Sequence, residues 1–123
     1  DASEFLEEWL PQETKGFVNL KINNVMQKIN DVINSDQLTL VDFYATWCGP
    51  CKMMHPVLEQ LKADLGDSIR IIKLDVDKSG DIAEAYRIQS VPTLMLFRRG
   101  EMLWRQSGAM RLADLKATIS NYQ

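Results

Sequence analysis

The chain is poor in cysteine and histidine, with two and one among 123 residues. Two cysteines close at most one bridge, which excludes the disulfide framework that staples many small secreted domains. An excess of positive charge is missing too. A net charge of −3 gives no basic footprint for nucleic acid. No run approaches the roughly 18 apolar residues of a membrane span, and no basic segment followed by an apolar one opens the chain as a signal would. Internal repeats and low-complexity tracts are absent as well. What remains is 46% apolar and 25% charged, an ordinary globular composition. A single domain of this size buries somewhat over about 60% of its unfolded surface and folds without staples. The chain starts at Asp1, which leads to the expectation that something upstream was removed, a cleaved signal or part of a longer product.

Residues 1–15, DASEFLEEWLPQETK, read as an N-terminal extension holding one short helix, capped by Ser3 and ended by Pro11. A domain over 16–123 follows. GFVNLK (16–21) is expected as a strand and residues 22–34 as a helix with Val25, Ile29, Val32 and Ile33 on one side. LTLVDFYA (38–45) is a near-continuous apolar run, which predicts a central strand covered on both faces. A helical period then runs from Cys48, with Met54, Val57, Leu58, Leu61 and Leu65 on one side, until Gly66. Pro56 inside it removes one backbone bond and predicts a kink. IRIIKLDV (69–76) is a second buried strand and residues 79–88 a short helix. TLMLFR and EMLWRQS flank RRGE as a hairpin, and residues 111–122 form a closing amphipathic helix. This order predicts an α/β fold of three layers, α/β/α, with a mixed central sheet and a C-terminal antiparallel hairpin.

Both cysteines fall in TWCGPCK, where the central strand gives way to a helix. A loop this short makes Cys48–Cys51 a poor staple, leaving metal binding or redox chemistry. Disulfide exchange needs one accessible sulfur of lowered pKa and a second within reach to resolve the mixed disulfide. Cys48 at a helix start faces unpaired amides and the positive dipole end, which favour its thiolate, and Cys51 one turn later is expected to be more buried. Pro50 suits the first turn, and Gly49 permits close backbone approach. A zinc half-site uses the same spacing, but the chain has no other cysteine and a single histidine, His55, so no metal is expected.

At these residues the sequence resembles the thioredoxin family. VDFYATWCGPCK (41–52) is similar to the family's active-site segment, and SVPT (90–93), RRGE (98–101) and SGA (107–109) match later landmarks, so the resemblance covers about residues 16–122. It implies the thioredoxin fold. It further implies that Cys48 is the nucleophile and Cys51 the resolving thiol, with a redox-active Cys48–Cys51 disulfide and no bound cofactor. Asp42 matches the family's buried acid, whose desolvation raises its pKa toward a value suited to taking the Cys51 proton, against the alternative of an exposed edge position. Lys73 matches the lysine paired with that acid, although a solvated charge is the plainer reading of a lone lysine. Pro92 matches the family's cis-proline and implies that Val91 offers its backbone to an extended substrate. Trp47, Gly49, Pro50, Val91, Pro92, Gly108 and Ala109 are then expected to line a shallow apolar groove. Trp104 is expected to be structural.

Tyr44 and His55 depart from common family choices. Tyr44 is expected to pack, and His55 to be a surface residue or, when protonated, a stabiliser of a thiolate. The resemblance implies a monomeric protein-disulfide reductase that maintains cell redox homeostasis. Its partners are disulfide-containing proteins and an electron donor such as a thioredoxin reductase. A disulfide oxidase or isomerase of an exported compartment, or a redox-independent binding subunit, are the alternatives. The compartment is open between cytoplasm and bacterial periplasm.

Overall fold

A computed structural model describes residues 29–123. The expected extension 1–15, the strand over 16–21 and residues 22–28 of the next helix lie outside the described residues. From residue 29 the chain runs through the end of a helix (29–33), β1 (Thr39–Tyr44), α1 (Gly49–Leu65), β2 (Arg70–Asp75), α2 (Gly80–Ala85), β3 (Thr93–Arg98), β4 (Glu101–Ser107) and α3 (Leu112–Ser120). The strands form one sheet in the order β2-β1-β3-β4. β1 pairs parallel with β2 and antiparallel with β3, and β3 pairs antiparallel with β4. The sheet is mixed as expected. The parallel pair follows from the crossover through α1, which carries the chain back to the same end of the sheet.

All six residues of β1 are buried, because it lies between two strands and has helices on both faces. Alternation along the strands sorts the core into two layers. Val41, Phe43, Ile72, Leu74, Met95 and Phe97 pack with Ile29, Val32, Ile33 and Ile82. Leu40, Ile71, Leu94 and Leu96 pack on the other side with Met54, Leu58 and Leu61 of α1 and Leu115 and Ile119 of α3. The expected three layers are therefore present. Trp104 is partly buried against the second layer, consistent with a structural role.

Local chemistry fixes the joints. The β3–β4 turn puts Arg99 at φ 53° and Gly100 at φ 79°. Two successive left-handed residues give the hairpin twist that matches its strands. Its amides donate to Ser35 O and Ile33 O, tying the hairpin to the helix at 29–33. Gly66 (φ 54°) ends α1, and its N–H donates to Lys62 O. α1 runs through Pro56 without a break in the helix. The helix expected over 79–88 is shorter, Gly80–Ala85. Arg87 turns to φ 54° just beyond it, while Arg105 donates to the carbonyls of Tyr86 and Arg87.

Candidate active site

β1 ends at Tyr44, and the chain reaches α1 through Ala45–Cys48. Cys48 is the N-cap of α1, with extended backbone (φ −89°, ψ 118°), and its Sγ accepts the N–H of Cys51 at 3.1 Å. Pro50 falls in the first turn, where its missing donor leaves no helical bond unmade. The sequence thus aims a sulfur at the amides that a helix start leaves unpaired. Cys48 and Cys51 are joined as a disulfide, with their Cα atoms 5.3 Å apart. The oxidised pair is more enclosed than the sequence leads one to expect: Cys48 is 5% exposed and Cys51 2%. Cys48 remains the more open of the two, and its Sγ lies 3.6 Å from the Val91 carbonyl oxygen.

Val91–Pro92 is a cis peptide bond. The Pro92 carbonyl accepts the N–H of Gly108 at 2.8 Å, and Thr93 Oγ1 donates to Ser90 O at 2.7 Å, so the loop before β3 is held on both sides. Gly108 has φ 98°, in the left-handed region that favours glycine. Trp47 is 70% exposed, and its Nε1–H donates to Asp77 Oδ2 at 2.9 Å. Trp47 and Val91 line one shallow hollow with Val76, Ile88, Gln89 and Ser90. Gly49 and Pro50 are exposed at the start of α1, and Ala109 is exposed after Gly108. Of the groove residues read from the sequence, the hollow joins Trp47 to Val91. Asp77, Val76 and Ile88 were missed, and no local motif marks them because they come from the turn after β2 and the loop before Ser90.

Beneath the disulfide lies the face of β1 and β2 that α1 covers. Leu40 and Ile71 face α1 and are register partners, so Asp42 and Lys73, two residues on and also partners, share that face. Asp42 is fully buried, which disposes of an edge position. Burial pushes its carboxyl up to about 7, with the Lys73 ammonium pulling the other way. Neither carboxylate oxygen has a hydrogen-bond partner among the described residues. Lys73 is 3% exposed rather than a solvated charge. Its Nζ lies 3.3 Å from His55 Nδ1 and 4.7 Å from the centroid of the Tyr44 ring. Tyr44 is packed as expected, at the edge of the cysteine cluster. His55 is 39% exposed and pairs through Nε2 with Glu59.

The arrangement is a disulfide at a helix start, with a buried carboxyl of raised proton affinity and a buried lysine as its register partner on the neighbouring strand. It suits disulfide exchange, in which a thiolate attacks and a second thiol must lose its proton. No helix among the described residues is long and apolar enough to cross a membrane.

The thioredoxin family model matches residues 19–121. A thioredoxin-like protein of Synechocystis is 51% identical over 81 residues, which cover 66% of this chain and 77% of the relative. The bifunctional thioredoxin reductase/thioredoxin of Mycobacterium leprae is 42% identical over 91 residues, 74% of this chain and 20% of that longer protein. Among solved structures, oxidised mitochondrial thioredoxin 3 from Saccharomyces cerevisiae superposes with a TM-score of 0.71 at 36% identity, covering 78% of this chain and 89% of that one. The chain belongs to the thioredoxin family, and its Cys48–Cys51 pair is the redox centre of a protein-disulfide oxidoreductase.

Proposed function

We propose that residues 16–123 form a monomeric catalytic domain, preceded by the extension 1–15, that reduces disulfides in other proteins. In the reduced protein the Cys48 thiolate attacks a substrate disulfide. One S–S bond breaks, a mixed disulfide forms, and the departing substrate thiolate takes a proton. Cys51 then gives its proton to Asp42 and attacks Cys48 Sγ, closing Cys48–Cys51 and releasing the second substrate thiolate. Two electrons pass to the substrate, and the dithiol carries them without a bound cofactor.

The observation that carries this reading is the position of Cys48 as N-cap of a 17-residue helix, its sulfur accepting the Cys51 amide. That amide and the helix dipole favour negative charge on Cys48. The burial of Asp42, with its proton affinity raised to about 7, supports its assignment as the base. The hollow between Trp47 and Val91 supports a substrate groove in which an extended segment lies against the Val91 backbone, with Gly49, Pro50, Pro92, Gly108 and Ala109 around it.

The fusion of a reductase to a thioredoxin in the M. leprae relative supports a thioredoxin reductase as electron donor. Such a donor fits the cytoplasm, whereas in the bacterial periplasm a membrane donor takes its place.

Cys51→Ser tests the assignment. It is expected to accumulate a stable mixed disulfide with a disulfide-containing substrate such as insulin, while Cys48→Ser gives no adduct and no insulin reduction. An adduct formed by Cys48→Ser and none by Cys51→Ser would reverse the two roles.

A further inference from the structure

A hollow of about 400 Å³ opens beside Cys51, between α1 and the ends of β1 and β2, with Tyr44, Lys52, His55 and Lys73 in its wall. His55 follows Cys51 by one helical turn and Glu59 follows His55 by another, so the three share a face of α1. An ammonium can only donate. With Lys73 Nζ at 3.3 Å, His55 Nδ1 is therefore the bare acceptor, and the ring proton sits on Nε2 facing Glu59. Glu59, His55 and Lys73 make a chain that begins at the surface and ends under the sheet's covering helix.

Asp42 is the register partner of Lys73 on the same face, and both side chains are buried. A buried ammonium next to a buried carboxylate ordinarily makes a charge-assisted hydrogen bond with it. Here neither Asp42 oxygen has a hydrogen-bond partner among the described residues, while the ammonium is engaged by the imidazole and lies over the Tyr44 ring.

We propose that His55 is a positioning residue: by accepting the Lys73 ammonium at Nδ1, it holds Lys73 out of a direct ion pair with Asp42 and thereby sets the proton affinity of that carboxyl. The inference rests on the reading of Asp42 as the base for Cys51. Lys73 then acts on Asp42 through space alone, and burial dominates. A direct pair lowers a carboxyl by about 1–3 pH units, which leaves a base too weak to take a thiol proton near neutrality. The other titratable groups facing this cluster, among the described residues, are Glu59 and Lys52 from α1 and Tyr44 from β1.

The test follows the Asp42 carboxyl carbon by NMR against pH in the oxidised full chain, where neither cysteine titrates. The parent is expected to titrate near neutrality. His55→Ala, and His55→Leu as a bulkier variant without the acceptor, are expected to lower the midpoint by about one unit or more as Lys73 turns to Asp42. His55→Asn, whose Oδ1 takes the place of Nδ1, is expected to return it to the parent's value. A midpoint unchanged or raised in the Ala and Leu variants overturns the inference, and so does an Asn variant that shifts as they do. The reading of Asp42 as base is judged separately, by turnover against pH in Asp42→Asn. If that variant keeps the parent's profile from pH 6 to 9, the base assignment fails, while the NMR titration still reports on His55.

Discussion

A carboxyl inside an apolar strand opposes folding whenever it is ionised, because the charge leaves water without full compensation. Asp42 is in that position. Its folded-state value, about 7, is above the ordinary 3.8, so the folded protein binds this proton more tightly than the unfolded chain does. Its contribution to stability is complete below the unfolded value and is lost as pH rises through the folded one. Between pH 5 and pH 9 the parent should therefore lose about 2–3 kcal/mol that Asp42→Asn does not lose. Urea unfolding of both proteins across that range measures it. The gap in stability should move in favour of Asn as pH rises, and a gap that stays flat would mean that Asp42 titrates alike in both states. In the proposed mechanism that cost falls on the side chain that takes the Cys51 proton.

At the scale of elements, α1 does two things. Its apolar face anchors the helix, with Met54, Leu58 and Leu61 fully buried against the sheet, and its N-terminus presents the disulfide. Leu58→Ala removes a fully buried side chain at the middle of that face. It should cost about 2–5 kcal/mol in chemical denaturation, with the insulin-reduction rate of the folded fraction little changed. A much smaller loss would mean that the layer collapses around the gap. This helix was legible in the sequence, because its three- and four-residue apolar spacing, Pro50 at the start and Gly66 at the end all agree. β1 was legible from its unbroken apolar run, and the hairpin from RRGE between TLMLFR and EMLWRQS. The short extent of α2 was not, since Arg87 leaves the helix in a left-handed conformation that its sequence does not announce.

Within the site, Cys48, Cys51 and Pro92 stand in motifs that can be read along the chain. The Trp47–Asp77 hydrogen bond and the Glu59–His55–Lys73 chain cannot, because they join residues 30 and 18 apart whose proximity depends on the parallel pairing of β1 with β2. Sequence reading left His55 between a surface residue and a partner of the thiolate. The structure gives it a third place, against the buried Lys73.

At the scale of the molecule, the described residues combine a mixed sheet, a helix start beyond the end of its strand β1, and a cis-proline loop against Cys48. The dithiol is thus presented at the carboxyl end of the parallel strands, where open α/β sheets place their sites. Redox direction is a property of this whole arrangement, since it depends on how much the helix start favours a free thiolate over the closed bond. Equilibrating Cys48–Cys51 with a reference thioredoxin, and reading the oxidised fraction by alkylation, measures it directly. As a protein-disulfide reductase the pair should titrate near the thioredoxin value of about −270 mV. A value near about −120 mV, where strong disulfide oxidants lie, would contradict the account.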